Sequence, residues 1–277
     1  MTLILGMSKP DGVYMGVDFR VTDMRSGKRI DDASVKFLTV HYPPDKGGPK
    51  ALFAYTGVAI LRDGTPTGAW IRETLRGEAE PFDQSMSHLR ERLNRDIAGL
   101  RRPLIINILV IQGERRYIGA FSNVHRTSGR PSARFDYMMQ ELQQPFCFAN
   151  GSGAARLLAD KHFDLIRGQL SVWPRKPRDH MGLLAAVNRR VAAKDPSVSP
   201  SCHVSFIDSD GASPTAEVFH ERGEHAPFEM PIISHGLDLS VLARGFHEQF
   251  LAMKRGEDPG QYEPDMAAVN KELKRRP

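Results

Sequence analysis

Three residues near the start of the chain, Thr2, Asp18 and Lys36, could do chemistry together. A threonine hydroxyl is a weak nucleophile at neutral pH and needs a base within hydrogen-bond reach, which the α-amine of the same residue can be when it is free. Met1 precedes a small residue and is the kind of methionine that cellular aminopeptidases remove, so Thr2 is expected to become the first residue without self-cleavage. An α-amine has a pKa of about 7.7–8.0. A neighbouring ammonium lowers that value and favours the neutral base near pH 7. Lys36 is the candidate for this charge and Asp18 for the carboxylate that orients it. The expected chemistry is attack of a hydroxyl on a carbonyl carbon, with the amine taking the hydroxyl proton.

Such a cluster needs a chain that turns back on itself. Thr2 to Met7 reads as a buried strand, Lys9-Pro10-Asp11-Gly12 as a turn and Val13 to Asp18 as the returning strand, a hairpin that sets Asp18 beside Thr2. Ala33 to Val40 offers a further strand with Lys36 near its start. Asp83 to Ile97 carries Met86, Leu89, Leu93 and Ile97 on one helical face. Pro103 to Ile111 reads as a buried strand and Arg115 to Phe121 as its hairpin partner. Phe146 to Asn150 runs into Gly151-Ser152-Gly153 and a helix from Ala154 to Leu165. A second helix, His180 to Ala193, spaces Met181, Leu184, Val187 and Val191 on one side and leads through a Pro- and Ser-rich loop to the strand Cys202 to Ile207. Leu237 to Met253 and Asp265 to Arg276 read as helices. Blocks of strands and helices in this order predict an α+β class.

Thr2, Asp18, Arg20 and Lys36 resemble, in order and spacing, the proteasome β-subunit and bacterial HslV-type peptidase family, whose mature chains begin with threonine. Ala51 to Ala59 is similar to the family's strand and turn whose backbone amide helps form the oxyanion hole. The family usually has two small residues where this chain has Thr56-Gly57, which leaves the donor open between the amides of Thr56 and Gly57; a donor of this kind contributes about 3 kcal/mol. Gly151-Ser152-Gly153 matches the family's Gly-Ser-Gly element, whose serine sits beside the threonine amine. Asp195 and Ser199 look like the family's Asp and Ser that hydrogen-bond the threonine. Ser201 is the alternative, because an additional residue and Pro200 disturb the usual spacing.

The resemblance covers residues 2–221 and implies a four-layer αββα sandwich, the N-terminal nucleophile hydrolase fold, followed by a helical C-terminal extension at 222–277. It implies a threonine-type amidohydrolase without a cofactor, foremost a self-compartmentalising peptidase acting on peptides or proteins. Assembly would be a homo-oligomeric ring or spiral, and an ATP-dependent unfoldase is the partner such an assembly could take. A catalytically silent scaffold subunit and a small-amide hydrolase of the same fold are the other readings.

Composition agrees. With 277 residues, 40% of them hydrophobic, the chain can build a sizeable core. It has no run of 18 apolar residues and no signal-peptide pattern, so a cytoplasmic protein without a membrane span is expected. Cys147 and Cys202 fall in expected strands and read as buried thiols rather than a disulfide. The histidines are dispersed, so no metal is expected. Thirty-eight basic against thirty-three acidic residues give +5. The basic stretches at 72–102 and 271–276 are interleaved with acids, as solvated helix faces are, and no nucleic-acid motif is present.

Overall fold

The computed structural model describes residues 2–22, 26, 28–32, 34–43, 48–77, 81–97, 99–125, 127–171, 176–209, 215–220, 231–262 and 265–274. The first apolar runs fold as the hairpin the turn demands. β1 (Ile4–Lys9) and β2 (Gly12–Asp18) are buried at every position and pair antiparallel from Ile4↔Val17 to Lys9↔Gly12. Strands covered on both faces show a continuous apolar run rather than alternation. β3 (Val21–Thr22) and β4 (Arg29–Asp31) form a small separate ribbon.

β5 (Phe37–His41), β6 (Lys50–Gly57), β7 (Leu104–Gln112), β8 (Arg115–Val124) and β9 (Pro131–Glu141) follow as an antiparallel meander. It is interrupted between β6 and β7 by the helices α1 (Thr67–Leu75) and α2 (Phe82–Asp96). β10 (Phe146–Asn150) then pairs with β1 in the register Ile4↔Asn150. After α3 (Gly153–Ala159), α4 (His162–Gly168) and α5 (Pro177–Ala192), β11 (Cys202–Asp208) takes the other side of β2, with Cys202 opposite Asp18, and β12 (Thr215–Phe219) adds to its edge. β13 (Ile232–Ser234), β14 (Leu237–Asp238), α6 (Ser240–Arg255), a 3₁₀ turn at Pro259–Tyr262 and α7 (Met266–Leu273) complete the described chain.

The result is a mixed α+β fold with a five-stranded sheet, β10-β1-β2-β11-β12, a seven-stranded sheet, β14-β13-β5-β6-β7-β8-β9, and seven α-helices among the described residues. Three apolar clusters hold it together. One joins Ile4, Val13 and Met15 of the smaller sheet to Phe37, Leu52 and Leu109 of the larger. A second joins Leu5 and Met7 to Met181 and Leu184 of α5, and a third joins Phe53 and Ile108 to Ile71 of α1 and Leu89 of α2. Neighbours such as Ile108 and Leu109 enter different clusters because successive strand residues point to opposite faces.

Several elements differ from the sequence expectation. The helix expected from Ala154 to Leu165 is two, α3 and α4, separated at Lys161, which adopts a left-handed φ of 56°. The stretch beyond residue 221, expected as an appended extension, supplies two strands to the larger sheet: β13 runs parallel to β5 with Ile233 opposite Val40. Leu237, expected at the start of a helix, lies in β14 instead. Residues 221–230 lie outside the described residues.

Candidate functional site

Thr2 sits at the open end of the β1–β2 hairpin and is 3% exposed. Its backbone N–H donates to Ser152 Oγ at 3.2 Å, and its carbonyl accepts from the Gly153 N–H at 3.4 Å. The 151–153 turn is thus wrapped on the Thr2 backbone. Gly151 has φ +91°, and a Cβ there would lie 2.1 Å from the Thr2 carbonyl oxygen and 3.1 Å from Thr56 Oγ1, so glycine is the residue this contact accepts. With Met1 attached, the Thr2 nitrogen is a peptide amide that donates and cannot take a proton. It marks where the α-amine would be once Met1 is removed. Met1 lies outside the described residues.

The residue after Thr2 leads to the charged pair. Asp18, with its side chain fully buried, accepts from the Leu3 N–H at 2.9 Å and from Lys36 Nζ at 3.3 Å through one oxygen. Its other oxygen accepts from the N–H groups of Arg20 at 2.9 Å and Ser199 at 3.1 Å. Lys36 also donates to the Arg20 carbonyl and is buried. Burial lowers the Lys36 pKa, while the Asp18 carboxylate pulls in the opposite direction. Removing one member of such a buried pair leaves the other charge uncompensated, at a cost of about 3–5 kcal/mol.

Sequence reasoning paired Asp195 with Ser199. The structure pairs it with Ser197, whose hydroxyl donates to Asp195 Oδ1 at 2.5 Å and whose N–H reaches the same oxygen at 2.9 Å. Ser197 Oγ lies 3.5 Å from Ser152 Oγ, so a chain of polar contacts runs Asp195, Ser197, Ser152, Thr2 nitrogen. Ser199 enters the site through its backbone, on Asp18, and its buried hydroxyl has no hydrogen-bond partner. Ser201 is buried two residues further on. Arg20 explains the shift in register: its guanidinium, held by Asp32 at 2.7 Å, donates to the carbonyls of Pro196 and Val198 at 2.9 and 3.2 Å and so turns the loop around Ser197. The available sequence signal was the Asx-turn spacing Asp195-Pro196-Ser197, in which a carboxylate accepts from the N–H two residues on.

A cavity of 340 Å³ opens beside this network, lined among others by Thr56, Gly57, Ile105, Val124, Gly151 and Ser152. Both residues proposed for the oxyanion amide therefore face it. Gly57 has φ +106°, and a Cβ there would meet the Pro103 carbonyl at 2.0 Å, so the end of β6 is shaped around a glycine. The cavity volume falls at the lower end of small-molecule sites, which run from about 300 to 1,000 Å³.

Among the described residues, no helix is long and apolar enough to cross a membrane. No family model matches the chain, and no curated protein matches it. Solved structures do: 321 chains match. One of them, the Anbu (Gly-1) mutant from Hyphomicrobium sp. strain MC1, superposes with a TM-score of 0.51 over 81% of this chain and 89% of that one. At 14% sequence identity, what this chain shares with Anbu is the fold.

Proposed function

We propose that the protein is a threonine-type N-terminal nucleophile amidohydrolase, a proteasome-like peptidase built on the four-layer αββα sandwich. The observation that carries this reading is the Thr2 nitrogen held by Ser152 Oγ while the next N–H, that of Leu3, shares one Asp18 oxygen with buried Lys36. Apolar contacts between the two sheets and between each sheet and its helices, with Thr2 just before β1 of the smaller sheet, support the fold part. In the reaction, Met1 is first removed. Thr2 Oγ1 then attacks the substrate carbonyl carbon as its α-amine accepts the hydroxyl proton. The oxyanion is stabilised by the amide of Thr56 or Gly57. Collapse expels the amine product, which takes the proton, and water hydrolyses the acyl ester, releasing the acid and restoring the hydroxyl.

In this reading Lys36 and Asp18 tune the amine, and Ser152 with the Asp195–Ser197 pair orders it. Ser199 serves through its backbone. Assembly into a ring or spiral and service by an ATP-dependent unfoldase belong to the same proposal. The test is the intact mass of the purified protein before and after treatment with a β-lactone or epoxyketone. Loss of Met1 with one adduct on Thr2 supports the nucleophile. A retained Met1 without adduct moves the assignment to a silent scaffold subunit.

A further inference from the structure

Asn107 lies in the middle of β7, 6% exposed, with alanines as its cross-strand neighbours: Ala54 on β6 and Ala120 on β8. It shares a strand face with Ile105, which lines the cavity, and Leu109, which belongs to the cluster between the sheets. Asn150, at the end of β10, donates from Nδ2 to Asn107 Oδ1 at 2.9 Å. The Gly151 N–H donates to Asn150 Oδ1 at 2.7 Å. This second bond fixes both amides. A backbone N–H requires an acceptor, so Asn150 turns its oxygen to Gly151 and its nitrogen to Asn107, and Asn107 must then present its oxygen. The Asn107 Nδ2 is left buried without a partner. Buried polar atoms are rarely left so, and the strand neighbours show that small apolar residues suit this depth of the sheet.

We propose that Asn107 is a positioning residue that acts through Asn150 to hold the Gly151–Ser152 turn beneath the Thr2 nitrogen. The two-bond relay joins the floor of the larger sheet to the turn of the smaller one that packs on Thr2, and so fixes the nitrogen across the gap between the sheets. Its effect on turnover rests on the amidohydrolase reading above. Its effect on the turn does not.

The experiment compares wild type with Asn107→Leu, which keeps the branched shape of the side chain and removes the orphaned donor together with the acceptor for Asn150, and with Asn107→Ala, which removes the same atoms and matches the flanking alanines. Amide hydrogen exchange at Gly151 and Ser152 is expected to quicken by about tenfold in both variants. In Asn107→Leu the melting temperature is expected to hold or rise. Acylation of Thr2 by a β-lactone is expected to slow by about tenfold, with KM for a peptide amide changed by less than about twofold. Unchanged exchange at Gly151 in either folded variant overturns the relay. A lower melting temperature for Asn107→Leu with an unchanged acylation rate assigns Asn107 a structural role and overturns it too. Should Asn107→Leu fail to fold, the exchange of Asn107→Ala decides alone. A wild-type protein that takes no adduct at all defeats the amidohydrolase reading and leaves the exchange result standing by itself.

Discussion

Each atom around Thr2 has one partner set, so single substitutions separate the roles. Thr2→Ala is expected to abolish turnover of peptide amides while leaving assembly intact, and Lys36→Ala to come close to the same loss; full activity in either would end the mechanism. The two serines give a sharper contrast. Ser197→Ala removes the donor on Asp195 and the neighbour of Ser152, and is expected to lower kcat by about a hundredfold if it takes part in proton transfer. Ser199→Ala deletes only a buried hydroxyl without a partner, and is expected to leave kcat within about twofold and stability unchanged or slightly higher. Steady-state kinetics on the two variants side by side, with urea denaturation, reads both. Equal losses would show that Ser199 carries the role its spacing first suggested.

At the scale of elements, the hairpin was legible because Pro10-Asp11-Gly12 forces a turn between two apolar runs, and with it the proximity of Asp18 to Thr2. Lys36 was legible from order along the chain. Ser197 was missed because its placement depends on Arg20, whose guanidinium reaches residues more than 170 positions away, and spacing within a loop does not record such a contact. The break between α3 and α4 was hidden because Lys161 takes a conformation usually left to glycine or asparagine. β9 was not anticipated because its pattern is mostly exposed, with buried Phe135 as its one fully covered apolar residue.

The packing of β11 also sets a pH dependence. His203 is fully buried, stacks on Phe37 of the other sheet at 4.7 Å, and is held neutral by burial down to about 4. In the unfolded chain it binds a proton near the ordinary value of about 6.5. The unfolded state therefore holds more protons between those values, so stability is complete above the upper value and falls as pH drops toward the lower. Between pH 7 and pH 4.5 the loss from this residue is expected to be about 2 kcal/mol. Urea unfolding at the two pH values should show a difference smaller by that amount in His203→Phe.

For the whole molecule, the end of the chain is tied into the rest. Glu272 on α7 is buried, accepts from the Asp238 N–H at 3.0 Å, and takes a bidentate contact from Arg76 after α1, with Nε at 2.7 Å. Glu272→Ala is expected to destabilise the fold by about 2 kcal/mol, discounted from the full cost of a broken buried pair because Arg76 keeps some access to water. A melting temperature unchanged by this substitution would show that α7 is only appended. Sedimentation of the purified protein addresses the ring or spiral: a species far heavier than the single chain is expected, and a monomer at all concentrations would remove that part of the proposal.

The polar chain around Thr2 draws on residues 150 positions and more along the sequence, Ser152 first and then Asp195 and Ser197. A ribosome delivers Thr2 early and these partners late. A nascent or truncated chain that stops short of residue 197 therefore carries the threonine without the groups that hold its nitrogen. In the proposed reading, reactivity would arrive only once the chain has grown past residue 197, a timing that keeps shorter fragments silent.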